Sequence, residues 1–225
     1  MIGRVVDDRF ELQRFLGSGA VGSVYLAKDR TTGLPSALKI WNTTVLDEQT
    51  LGRFRREAMA LTTLRHPNIV GVFGWGVVDD LPYVAMEFLE GSTLENMLSN
   101  QKALETDLAF DVATQMLSAL AYAHGLGVVH RDLKPDNVLV SQEPERVRAQ
   151  RPSLRIASPK RVVKLLDYGL AKFLSPEQDP VKGALTMLGM VMGTPLYMAP
   201  EQAAGRTIDA RVDVYAAGCV LFEML

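Results

Sequence analysis

The octet His130-Arg131-Asp132-Leu133-Lys134-Pro135-Asp136-Asn137 decides how the rest of the chain is read. It sets an acid, a lysine and an asparagine within six positions, after Gly127-Val128-Val129 and before Val138-Leu139-Val140. Two short β-branched runs around a polar stretch read as strand, loop, strand. A loop anchored at both ends fixes its polar side chains towards one point. The three groups suit phosphoryl transfer: a carboxylate orients a hydroxyl, an ammonium meets phosphate charge, and an amide oxygen ligates a hard cation. The bland alternative is a turn carrying solvated charges, and the order of residues in the octet weighs against it.

Composition narrows the setting. The chain has 225 residues, 48% hydrophobic and 22% charged, which is ordinary for a globular protein and enough for one or two cores. A net charge of −2 gives no general attraction to nucleic acid or to an anionic membrane surface. The single cysteine, Cys219, excludes an intramolecular disulfide and fits a reducing compartment. It lies in an apolar helical run and reads as core filler. Met1-Ile2-Gly3 begins neither a signal peptide nor a myristoylation site. No apolar run is long enough to span a bilayer, so the expected location is cytoplasmic, with no membrane segment within this chain.

Upstream of the octet, Phe10-Glu11-Leu12 starts a strand that runs into Leu16-Gly17-Ser18-Gly19-Ala20-Val21-Gly22-Ser23-Val24, and Val24 to Ala27 reads as the returning strand. Glycines in a hairpin argue against a dinucleotide fold, where a helix follows the glycines. They suit a flap whose backbone amides approach phosphates closely. Ala37-Leu38-Lys39-Ile40-Trp41 is a third strand with a lysine in apolar surroundings, which calls for an anionic partner. Apolar residues Leu51, Phe54, Ala58, Leu61 and Leu64 recur at helical spacing, and Glu57 falls on the same face, so a Lys39–Glu57 pair is expected. His66-Pro67-Asn68 stops that helix. Ile69 to Phe73 and Tyr83 to Phe88 read as two further strands around the turn at Asp79-Asp80-Leu81-Pro82. Five strands and one helix complete a first layer.

Beyond a boundary near Glu87 to Glu90 the chain turns helical. Ser92-Thr93 marks a helix start, and Leu108, Val112, Met116, Ala119, Leu120 and Ala123 mark a long helix that leads to the octet. Val162 to Leu166 is a strand ending in Asp167-Tyr168-Gly169. An aspartate there, next to Asn137, gives two oxygen ligands for Mg²⁺. Gly193-Thr194-Pro195 and Ala199-Pro200-Glu201 follow, then an apolar run from Ala210 to Leu225 that is non-polar on most helical faces and so expected to be buried on all sides.

Taken together, the glycine flap, Ala37-Leu38-Lys39, Glu57, the octet, Asp167-Tyr168-Gly169, Ala199-Pro200-Glu201 and Asp213 resemble the eukaryotic-like protein kinase family, in its bacterial Ser/Thr branch. The motifs occur in the family's order and cover almost the whole chain. The resemblance implies a two-lobed α+β fold: a small β-rich N-lobe with one helix over residues 1–87, and a mainly helical C-lobe over 88–225 that is truncated within its apolar helix. It also implies that Lys39, held by Glu57, contacts the α- and β-phosphates of ATP, with Leu16 to Val24 as the flap. By the same token Asp132 is the base, Lys134 neutralises the transferring group, and Asn137 and Asp167 hold Mg²⁺. Val24 and Ala37 on one side and Leu139 on the other enclose adenine, Glu87 to Leu89 offer it backbone hydrogen bonds, and Met86 precedes them as gatekeeper. Leu61, Val72, His130 and Tyr168 match the family's stacked apolar spine. Lys134, with Thr194, implies Ser/Thr rather than Tyr as acceptor, and so protein substrates. Arg131 implies a phosphorylated activation segment, with Thr186 as the main site, Ser175 as a lesser one, and self-association for autophosphorylation.

Three features depart from that pattern. Residues 141–161 form a long, Arg-rich, Pro-containing connection, read as a solvated insertion or a docking patch for an acidic partner. Leu188 stands where relatives often carry a second threonine. The arginine that pairs with the glutamate at Glu201 in the family is not found before Leu225, so a truncated or non-catalytic kinase-like module is the second reading, and a small-molecule phosphotransferase the third. A membrane anchor beyond Leu225 is left open.

Overall fold

The structure, a computed structural model, describes residues 1–19, 22–42, 48–101, 103–142, 161–168 and 195–225. Its chain divides into two compact units. The first contains Met1–Arg65 and Val70–Leu89, the second His66–Ile69, Glu90–Tyr168 and the residues from Pro195 onward.

The first unit is a six-stranded antiparallel sheet in the order β1-β2-β3-β4-β6-β5 with one helix. The strands are β1 (Val5–Val6), β2 (Phe10–Gly19), β3 (Gly22–Asp29), β4 (Pro35–Trp41), β5 (Val72–Val78) and β6 (Leu81–Glu87), and the helix is α1 (Glu48–Thr63). One more strand is present than the five expected. Val5 and Val6 pair with Glu11 and Phe10 because Asp7 and Asp8 both adopt positive φ, 54° and 52°, and turn the chain back at once. Asp79 and Asp80 do the same, at 48° and 61°, between β5 and β6. The expected strand at Ile69 begins only at Val72, because Ile69 bridges to Leu165 in the second unit.

Alternation along β4 divides its side chains between two faces. Leu38 and Ile40 join Val6, Phe10, Leu12, Ala27, Tyr83 and Ala85 in a buried apolar cluster. Ala37, Lys39 and Trp41 therefore occupy the opposite face, and Trp41 meets Phe54 of α1 edge to face at 5.8 Å. Burial of Phe54, Ala58 and Leu61 on α1 follows the helical spacing read from the sequence.

In the second unit, β7 (Ser92–Thr93), β8 (Val138–Gln142) and β9 (Arg161–Leu165) form a small sheet. Thr93 caps α2 (Leu94–Asn100), accepting a hydrogen bond from the Asn96 amide at 3.2 Å. Helix α3 (Thr106–Gly125) buries Ala109, Val112, Ala113, Met116, Ala119, Leu120 and Ala123. Short α4 (Pro200–Ala203) and α5 (Arg211–Met224) follow. Helix α5 departs from expectation: it buries Val212, Asp213, Ala216, Ala217, Val220 and Met224, while Val214, Tyr215 and Phe222 are exposed. Burial selected its small and aliphatic positions and left the opposite face, aromatic residues included, to solvent. Among the described residues no helix is long and apolar enough to cross a membrane.

Candidate active site

The octet is a loop entered without a strand. Val128 and Val129 carry no ladder, contrary to expectation, whereas Val138 enters β8 as expected. What anchors the entry is a side chain from far along the chain. Asp213, in the first turn of α5 and 1% exposed, accepts hydrogen bonds from the backbone amides of His130 and Arg131, both at 2.8 Å. His124 Nε2 lies 2.7 Å from the same carboxylate. This clamp holds Arg131 at φ 66°, a left-handed conformation that a non-glycine residue keeps only when its surroundings impose it. Gln202 of α4 donates to the Arg131 carbonyl at 2.8 Å, so a second element grips the same residue.

Within the loop, the three polar residues picked from the sequence lie together. Lys134 Nζ is 3.9 Å from Asp132 Oδ2, and Asn137 Nδ2 donates to the Asp132 carbonyl at 2.7 Å and to Oδ2 at 3.3 Å. Asn137 is buried and Asp132 remains open to solvent. A 3₁₀ turn, Pro135–Asn137, closes with the Asn137 amide on the Lys134 carbonyl at 2.9 Å. The geometry leaves an acid exposed, with a cation beside it and an amide fixing its orientation. That arrangement can receive a hydroxyl and stabilise charge developing on its acceptor.

His130 ties this loop to the end of β9. It is fully buried, and burial pushes its imidazole pKa below the ordinary value. The ring is therefore neutral. Nε2 lies 2.9 Å from the Leu166 carbonyl and so carries the proton, leaving Nδ1 to accept from the Asp132 amide at 3.4 Å. Tyr168 packs on the ring at 4.6 Å. The Leu166 amide donates to the Asn137 carbonyl at 2.9 Å, which sets Asp167 next to the asparagine in the chain path. Asp167 has φ 50°.

The donor set suits Mg²⁺. With Asn137 Nδ2 committed to Asp132, its side-chain oxygen would be left to serve as a hard ligand, and Asp167, two residues beyond β9, would add a carboxylate. Among the described residues no group of three or more His, Cys, Asp or Glu side chains forms a closed metal cage. An ion held by few protein oxygens and completed by water and phosphate is the usual form for this metal.

In the first unit, β2 and β3 pair through Gly17↔Val24, Ser18↔Ser23 and Gly19↔Gly22, so the glycines form a hairpin as expected. Ala20 and Val21 at its tip lie outside the described residues. A side chain at Gly22 would bring a Cβ to 2.5 Å from the Ile40 carbonyl, whereas at Gly17 and Gly19 it would meet nothing within 4 Å. Of these three glycines, Gly22 alone is demanded by packing among the described residues. The open sides of Gly17 and Gly19 leave their backbone accessible. Val24 sits opposite Lys39, and Ala37 opposite Met86, on the β4 face turned away from the apolar cluster. Leu16 is exposed at the start of the flap, and Leu139 is buried on β8. The Glu87 amide donates to the Gly71 carbonyl at 2.8 Å, and Leu89 is the last described residue of this unit.

One expected contact is missing. Among the described residues no ion pair joins Lys39 to Glu57. Glu57 lies on the flank of the buried stripe Phe54–Ala58–Leu61, half buried, rather than at its centre. Lys39, 9% exposed, places Nζ 5.3 Å from the centroid of the Trp41 ring. Thr186, Ser175, Thr194, Gly169 and residues 143–160 of the insertion lie outside the described residues. Sequence reasoning passed over His124 and Gln202. His124 was findable, since it follows Ala123 on the inward side of α3; nothing local marks Gln202.

Residues 10–225 match the family model described as protein kinase domain. Over its full length the chain is 38% identical to serine/threonine-protein kinase pkn3 of Myxococcus xanthus and 34% identical to serine/threonine-protein kinase PrkC of Bacillus subtilis. It spans 39% and 31% of those proteins. The crystal structure of the Mycobacterium tuberculosis PknI kinase domain superposes with a TM-score of 0.74 at 24% identity, covering all of this chain and 77% of that one, a likeness of fold. Rad53 1-466 in complex with AMP-PNP gives 0.70 at 29% identity, covering 96% of this chain and 48% of that one.

Proposed function

The chain belongs to the protein kinase domain family, and from that premise we propose that it transfers the γ-phosphoryl group of ATP to serine and threonine hydroxyls of proteins. The observation that carries this reading is the open Asp132 carboxylate, oriented by Asn137 Nδ2 at 3.3 Å with Lys134 Nζ at 3.9 Å, on a loop fixed by Asp213. Asp132 accepts the hydroxyl proton as the new oxygen–phosphorus bond forms, and the bond from the γ-phosphorus to the bridging oxygen breaks to leave ADP. Lys134 offsets charge on the transferring group. Asn137 and Asp167 hold Mg²⁺, which supplies charge neutralisation on the phosphates when bound. In the first unit Leu16 to Val24 cover the nucleotide phosphates, Lys39 contacts them, Ala37 and Val24 contact adenine, and Glu87 and Leu89 offer it backbone groups.

The test is transfer from labelled ATP·Mg²⁺ to a generic basic protein. Transfer by the wild type that vanishes in Asp132→Asn supports the reading. ATP binding without transfer by the wild type refutes it and leaves a non-catalytic nucleotide-binding module.

A further inference from the structure

Trp41 stands two residues beyond Lys39 on β4, so the two side chains share a face of the strand. Three observations set this tryptophan apart from core filler. Its ring carries the Lys39 ammonium at 5.3 Å from the centroid, within the range in which a cation is attracted to the negative face of an indole. The ring is itself fixed, 1% exposed and held edge to face by Phe54, whose own ring is held at 6.1 Å by Trp75 of β5. Among the described residues its buried Nε1–H has no acceptor, a cost that phenylalanine or leucine in the same place would not carry. A side chain chosen only to fill space would avoid that cost; one chosen for its face has reason to accept it, because indole binds cations best among the aromatic rings.

We infer that Trp41 is a positioning residue for Lys39: its ring holds the ammonium along the β4 face in the pose from which it meets the nucleotide phosphates. Its register partner across the sheet is Gly22, the returning glycine of the flap. The Gly22 Cβ position is already closed by the Ile40 carbonyl and by Trp41 Cα at 3.1 Å. One rigid aromatic thus sits against the root of the flap, the phosphate-contacting lysine and, through Phe54, the helix carrying Glu57. The inference rests on the phosphoryl-transfer reading for the role of Lys39.

The experiment compares Trp41→Phe and Trp41→Leu with wild type in steady-state kinetics, with Lys39→Met as control. Loss of the ring face in Trp41→Leu is expected to raise KM for ATP about 3- to 30-fold, the size of a partly desolvated cation–π contact, while KM for the peptide stays within about twofold. Trp41→Phe, which keeps a ring and drops the orphan N–H, is expected to fall between, with thermal stability no lower than that of Trp41→Leu. In a Trp75→Phe background Trp41 is the sole tryptophan, and its emission is expected to respond saturably to ATP and to lose that response in Lys39→Met. Wild-type or lower KM for ATP in a folded Trp41→Phe or Trp41→Leu protein overturns the inference, as does an emission blind to ATP. Undiminished transfer by Lys39→Met would overturn the functional reading itself, which separates the two failures.

Discussion

Replacing Asp213 by alanine removes one carboxylate 81 or more positions away from every residue credited with chemistry in the octet's first half, and it is expected to cost both stability and rate. The substitution leaves the amides of His130 and Arg131 buried without their acceptor and His124 without its partner. Each orphaned donor costs about 1–3 kcal/mol, and breaking a buried charged contact costs about 3–5 kcal/mol in all. For a domain of this size that is a fall in Tm of roughly 6–20 °C, within reach of total unfolding given stabilities of about 5–15 kcal/mol. Without the clamp, relaxation of Arg131 from φ 66° is less strongly opposed, the Gln202 hydrogen bond remaining, and Asp132 follows it. A displacement of about 1 Å at a catalytic group costs on the order of 10²-fold. Asp213→Asn keeps one acceptor oxygen and turns an NH₂ towards the other amide, so it should fall between wild type and alanine. Thermal melts by circular dichroism and peptide phosphorylation at 20 °C, normalised to folded protein, measure both effects. If the alanine variant melts early but each folded molecule works at the wild-type rate, the clamp does not position the loop and the reasoning fails.

Other outcomes follow from the same geometry. Buried, neutral His130 refuses the proton that the unfolded chain accepts near pH 6.5, so its contribution is complete above that value and is lost as pH falls below it. The carboxylates of Asp213, Asp132 and Asp167 oppose the shift without reversing it. Tm of the wild type should therefore drop between pH 7 and pH 5, and His130→Phe should flatten part of that slope; an unchanged slope would count against a neutral His130. Gly22→Ala forces a Cβ to 2.5 Å from the Ile40 carbonyl, so β3 and β4 must part. About 1–3 kcal/mol of stability and a severalfold rise in KM for ATP are expected, whereas Gly17→Ala, with open space at its Cβ, should leave Tm within about 2 °C. Thr186 is expected to carry phosphate in active protein, read by mass spectrometry, with Ser175 modified less; a fully active Thr186→Ala with phosphate only elsewhere refutes that assignment.

The parts of this protein that were legible in its sequence are those whose physics is local. Periodicity exposed the buried faces of α1 and α3, because burial there follows helical spacing: Phe54, Ala58 and Leu61 on one, Val112, Met116 and Ala123 on the other. The glycine hairpin and the Asp132–Lys134–Asn137 constellation were legible because the residues that act together are adjacent, and a tight turn can bring them together unaided. What escaped depends on contacts that local pattern does not encode. The Val128-Val129 pair has strand propensity and no partner strand, so it carries no ladder. Paired Asp7-Asp8 could have signalled a turn, but a two-residue strand before it left no periodicity to read.

Glu57 is the instructive miss. Its spacing put it on the inward side of α1, and the structure agrees as far as the helix goes. An ion pair, however, needs the rotation of the helix about its axis to be right to within a fraction of a turn, and that is set by how Phe54 seats against Trp41 and Trp75. The aromatic contacts of about 6 Å therefore bear on whether a carboxylate one helical turn along can reach a partner. Periodicity gives the face of a helix, but only packing gives its rotation. The same aromatic cluster holds Lys39 on the ring of Trp41. Helix α1 and the lysine are thus both packed against the Trp41 ring, so a change at Phe54 is expected to reach both.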